Sequence, residues 1–130
     1  MQQPTVVKYC LSKGISITAY TQFGRVSDED PERIPLKNST IATIGKKYNK
    51  SNAQVIIRWL IQRHVYAIPK TVHPDRMREN LNVFDFELSE EDMETMNNLN
   101  MNDRKNDGRF FAQCGLTTKE VWDYEDCERL

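Results

Sequence analysis

A chain of 130 residues is one domain at most, and its 38% apolar content lies below the roughly 45–50% of ordinary globular chains, so its core is thin for its length. A formal net charge of −1, with lysine and arginine scattered among the acids, argues against a nucleic-acid or membrane surface, because both need concentrated positive charge. Residues 1–10 hold no long apolar run, no stretch approaches the ~20 apolar residues of a membrane span, and Cys10, Cys114 and Cys127 suggest neither a disulfide framework nor a zinc site; the expected setting is cytoplasmic and reducing.

Residues 4–13 read as the end of a helix closed by Gly14, as a helix C-terminal glycine should be. Residues 15–20 alternate and are rich in β-formers, which predicts a strand ending at Tyr20. Residues 24–39 are polar, contain Pro31 and Pro35, and form a loop of about sixteen residues, long enough to suggest a role of its own. Residues 40–48 make a modest helix in which Gly45 costs about 1 kcal/mol relative to alanine. Ser51 and Gln54 have capping-box spacing, and Ala53, Ile56, Ile57 and Leu60, widened by Val55 and Trp59, make the helix they open strongly apolar. Residues 65–68 predict a second strand. A last helix starts at Ser89, with Asp92 at its third position and Leu88 and Met93 spaced as a hydrophobic staple. Beyond residue 100 the chain is polar with isolated aromatics (Phe110, Phe111, Trp122, Tyr124), and residues 100–130 are expected to be a surface tail.

Between the second strand and the last helix stands Ile68-Pro69-Lys70-Thr71-Val72-His73-Pro74-Asp75-Arg76-Met77-Arg78-Glu79-Asn80. Proline suits the first helical position, since the N–H it lacks would have no helix partner. Arg76, Glu79 and Asn80 then share one helix face. A lysine, a hydroxyl and an arginine converge where free backbone N–H groups favour anions, which describes a phosphate pocket. By spacing alone, Lys70 and Arg76 read equally well as a solvated pair at a helix start. Strands separated by helices imply parallel pairing through right-handed crossovers, and two such strands alone would leave both outer edges unpaired.

Three further segments join this run in a family likeness. Residues 12–20 (Ser12-Lys13-Gly14-Ile15-Ser16-Ile17-Thr18-Ala19-Tyr20), Ser51 to Val55 with Arg58, Ile68 to Thr71 with Arg76, Glu79 and Asn80, and Val83 to Ser89 resemble the aldo-keto reductases over about residues 5–100. The resemblance implies a (β/α)8 barrel that reduces aldehydes and ketones to alcohols with NADPH. Such barrels need ~250 residues, so residues 1–99 are expected to be a partial domain, the last two strand–helix units, with the run at 68–80 after the eighth strand, where barrels commonly hold phosphate.

By the same resemblance, Lys70, Thr71 and Arg76 would grip the 2′-phosphate of NADP(H), Val72 would also belong to the cofactor site, and Glu79 and Asn80 would meet the adenine. Tyr20 would stack on the nicotinamide, and Thr21, Phe23 and Arg25 would belong to the loop near the pyrophosphate. Here the family usually has Ser-Pro-Leu-Gly-Ser, where this chain has Thr21-Gln22-Phe23-Gly24-Arg25, and His73 is a poorer helix cap than a residue with a short side-chain oxygen. The family's catalytic aspartate, tyrosine, lysine and histidine belong to the first half of the barrel and have no counterpart here, so this chain is expected to hold no catalytic or metal-ligating residue and to be inactive by itself. The expected partners are NADP(H) and a complementary barrel half. The competing reading is a non-enzymatic scaffold that docks through its strand edges and its apolar helix at 52–63; a truncated product with exposed apolar surface is the third.

Overall fold

Among the described residues, two short parallel strands carry a layer of helices on one face and leave the other uncovered. A computed structural model describes residues 2–24 and 30–100. The order is α1 (Pro4–Ser12), β1 (Ile17–Thr18), two 3-10 turns (Pro31–Arg33 and Pro35–Lys37), α2 (Ser39–Tyr48), α3 (Asn52–Gln62), β2 (Val65–Tyr66), α4 (Pro74–Leu81) and α5 (Glu90–Asn98). This is an α/β fold with an open, incomplete sheet, consistent with part of a barrel. Ile17 lies opposite Val65 and Thr18 opposite Tyr66.

Both strands are shorter than the alternation of residues 15–20 and 65–68 predicts. Each has one described neighbour, so ladder bonds end where the two chains diverge, although the Ala19 N–H still reaches the Tyr66 carbonyl at 2.8 Å. The long loop is not structureless either. Pro31 and Pro35 each open a 3-10 turn, and Asn38 caps α2 one residue earlier than the sequence suggests.

The core lies between α2, α3, β2 and α5: Ile41, Ile44, Val55, Ile56, Trp59, Leu60, Val65, Leu88 and Met96. The expected capping box at the start of α3 is formed, with both Ser51 and Gln54 taking part. The apolar face of α3 is therefore consumed by the core, which corrects the expectation that it offers a docking surface. Along the strands, alternate residues turn to the helices or away. Val65 is buried, whereas Tyr66 is 62% exposed and Ile68 is 61% exposed. An α/β sheet normally has both faces covered, so this bare face is the incomplete side of the fold.

α5 is fastened through a buried carboxylate. Asp92 accepts from the Lys47 ammonium at 2.6 Å, the Tyr48 hydroxyl at 2.7 Å and the Ser89 hydroxyl at 3.1 Å. Burial alone would push this carboxyl up, but these donors outweigh it and hold it below the ordinary carboxylate value. A depressed native value means that the contribution is complete above the unfolded pKa of about 3.9 and is lost as pH falls through the native one. Asp92→Asn is expected to cost about 2 kcal/mol at pH 7, and urea titrations at pH 7 and pH 3 should show that gap closing in acid. An equal gap at both pH values contradicts this assignment.

Candidate functional site

Because β1 and β2 run parallel, their C-terminal ends lie at the same edge of the sheet. Residues 19–24 leave β1 there and residues 67–73 leave β2. In parallel α/β folds, this carboxyl edge is where ligands are held. Topology thus brings together the two segments to which the family likeness gives one site.

Tyr20 is 76% exposed at this edge. Thr21 is next, with φ 54°, a left-handed conformation that costs a β-branched residue roughly 1–3 kcal/mol. The turn closes with the Gly24 N–H donating to the Thr21 carbonyl at 2.9 Å. Gly24 has φ 77°, and a Cβ there would lie 2.6 Å from Pro35 Cδ, so only glycine fits. Phe23 packs on the edge of the core and anchors the loop from inside. Gln22 Nε2 is buried in the same loop with no hydrogen-bond partner among the described residues. Arg25 lies outside the described residues, as do Cys114, Cys127 and the tail aromatics.

On the β2 side, Lys70 is exposed, Val72 is exposed, and the half-buried Thr71 accepts the His73 N–H on its hydroxyl at 3.2 Å. α4 starts at Pro74 as expected, and His73 supplies no side-chain cap, so the first-turn N–H groups are not taken by a side chain. Arg76 is exposed on that first turn. Neither Lys70 nor Arg76 has a hydrogen-bond or ion-pair partner among the described residues. The nearby acid, Asp75, is paired with Arg78 at 2.9 Å.

Two unpaired cations, a hydroxyl and an uncapped helix start fit a phosphate group, since each supplies positive charge or a donor. Glu79 and Asn80 are half-buried further along α4. Glu79 is not idle, because its carboxylate accepts the Ser51 hydroxyl at the start of α3. Sequence spacing identified Ser51 and Gln54 as a capping box but carried no sign of this second engagement, which is made across 28 residues. The Lys47–Tyr48–Asp92 cluster was equally invisible. The described residues also frame a cleft of ≈ 700 Å³ beside α5, lined by Tyr48, Gln62, Glu87 and Met93 among others, and none of the expected nucleotide residues lines it. Among the described residues no His, Cys, Asp or Glu side chains gather as a metal-ligand set, and no helix is long and apolar enough to cross a membrane.

Residues 1–101 match the aldo/keto reductase family. The chain is 44% identical over 107 residues to aldo-keto reductase family 1 member A1-A of Danio rerio, covering 78% of this chain and 32% of that protein. It is 40% identical over 116 residues to an NADPH-dependent D-xylose reductase of Meyerozyma guilliermondii, covering 82% of this chain and 36% of that protein. Among solved structures, an aldo-keto reductase from a Medee basin deep-sea metagenome library superposes with a TM-score of 0.68 at 37% identity, covering 78% of this chain and 36% of that one. The chain thus spans about a third of the length of the curated relatives it matches.

Proposed function

Because the chain belongs to the aldo/keto reductase family, whose cofactor is NADP(H), we propose that it is the NADP(H)-binding portion of a carbonyl reductase, built from the last two strand–helix units of the barrel. The observation that carries this reading is the pair of cations, Lys70 and Arg76, unpartnered among the described residues, beside the uncapped start of α4 on the carboxyl edge of the sheet.

In this reading Lys70, Thr71 and Arg76 hold the 2′-phosphate. The guanidinium of Arg76 can make paired, charge-assisted bonds to phosphate oxygens, and the ammonium of Lys70 acts as a point charge. Val72 lies in the segment that carries these donors. Glu79 and Asn80 present acceptor and amide groups to the adenine, Tyr20 offers a flat face to the nicotinamide, and residues 21–25 run beside the pyrophosphate. When bound, NADPH supplies the hydride for reduction of an aldehyde or ketone. Proton donation to the carbonyl oxygen falls to residues of the complementary barrel half, which would also cover the bare sheet face at Tyr66 and Ile68. The scaffold reading has lost its apolar helix to the core and keeps only the strand edges.

The test is a fluorescence titration of NADPH and NADH against the chain, alone and with a first-half barrel fragment. Lys70→Ala and Arg76→Ala are each expected to weaken NADPH binding roughly tenfold to a hundredfold while leaving NADH unchanged, because only NADPH carries the 2′-phosphate. Absence of NADPH binding in both settings removes this reading.

A further inference from the structure

α4 carries the proposed nucleotide residues, yet none of its own residues is buried. Its C-terminal end is held to α3 by hydrogen bonds. Gln54, only 6% exposed, donates its side-chain amide to the Glu79 carbonyl at 3.2 Å and to the Asn82 carbonyl at 2.8 Å. The same side chain accepts the Ser51 N–H on its amide oxygen at 3.1 Å. One amide therefore satisfies the start of α3 and the end of α4 together. Lys50 adds a bond to the Asn82 carbonyl at 3.3 Å, with its ammonium paired to Asp85 at 2.7 Å.

Ser51 carries this relay to a side chain. Its hydroxyl oxygen accepts the Gln54 N–H at 3.3 Å, and its single proton goes to Glu79 Oε1. Glu79 Oε2 receives no hydrogen bond from the described residues. An ionised carboxylate only accepts, so an oriented Oε2 favours a ligand edge bearing N–H groups over one bearing a carbonyl oxygen.

We propose that Ser51 is a positioning residue for the nucleotide site: its hydroxyl turns Glu79 so that Oε2 accepts from an adenine amino group, while Gln54 fixes the end of α4 that bears it. This inference rests on the NADP(H) reading above and assigns adenine selectivity to a residue of the preceding helix.

Calorimetric titration of the full chain with 2′,5′-ADP and with its hypoxanthine counterpart tests it. Ser51→Asp keeps a short oxygen to cap α3 but sets a carboxylate against Glu79; Ser51→Thr keeps the hydroxyl. Ser51→Asp is expected to weaken 2′,5′-ADP about tenfold and to leave the hypoxanthine analogue within about twofold, with Ser51→Thr behaving as wild type. Equal weakening of both ligands, as a purely structural cap would produce, or no change with either, overturns the proposal and leaves the NADP(H) reading standing. A wild-type chain that binds neither ligand, alone or with the first-half barrel fragment, removes the NADP(H) reading. The hold on α4 is then judged without nucleotide, by amide exchange. Ser51→Asp should speed exchange at residues 76–82 about tenfold with α3 unaffected, and unchanged exchange there overturns the positioning role.

Discussion

Gly45→Ala is expected to destabilise the protein by about 3 kcal/mol, the opposite sign to what helix propensity alone predicts. A Cβ at Gly45 would overlap the Lys50 carbonyl oxygen and lie 3.6 Å from a Val55 methyl group. The first of these is backbone, held by the Lys50 N–H donating to the Gly45 carbonyl at 2.9 Å and by the left-handed Asn49 that closes α2. Neither can move without shifting Ser51, the cap of α3. Urea denaturation followed by far-ultraviolet circular dichroism gives the measurement. An alanine variant as stable as wild type, or more so, contradicts the close approach. The same shift should loosen α4, because Lys50 and Ser51 both fasten its end.

Trp59→Ala is expected to cost ~3–5 kcal/mol, the usual range for emptying a buried aromatic site. Trp59 is 8% exposed and joins α3 to α5 in two ways. Its ring packs within the core cluster, and its indole N–H donates to Asn97 Oδ1 at 3.1 Å. The Arg63 guanidinium lies 4.3 Å from the ring centroid, and Arg63 also donates to the Gln2 carbonyl at 3.1 Å, so the chain start is tied to the same residue. Domains of ordinary stability hold only about 5–15 kcal/mol in total, so this loss should leave a large unfolded fraction at 37 °C. Trp59→Phe separates the contributions: it keeps most of the buried area and should cost only the indole hydrogen bond, about 1 kcal/mol. Urea midpoints followed by circular dichroism compare the three proteins, and a loss below about 1 kcal/mol for alanine contradicts the role assigned to the ring.

Local signals in the chain were strong where one residue and its near neighbours decide the conformation. Gly14 closes α1 with φ 68°, as its position after Lys13 implied. Pro74 opens α4, Ser51 and Ser89 cap α3 and α5, and His73 fails to cap, all as their side-chain chemistry dictates. Strand lengths were less legible, because β alternation persists in sequence beyond the point where a neighbouring strand is present to pair with it.

The cost or benefit of Gly45 could not be read locally at all. Propensity reports on the helix alone, whereas the deciding atom is the Lys50 carbonyl, brought close by the turn into α3. The site divides in the same way. Lys70, Thr71 and Arg76 stand close together in the chain, so their charge and their helix start were apparent from spacing. That Tyr20 and Lys70 leave the same edge depends on the parallel pairing of Ile17 with Val65, a contact across 48 positions.

By itself, then, the sequence determined the element order, the helix ends, the family likeness and the clustering of Lys70, Thr71 and Arg76 at a helix start, because these depend on neighbouring residues. Tertiary structure alone decided that the α3 face is core, that Asp92 locks α5, and that Ser51 and Gln54 reach across to Glu79 and the end of α4. Each of these is a contact between groups far apart in the chain, and local spacing carries no information about which distant backbone or carboxylate a side chain will meet when the core closes.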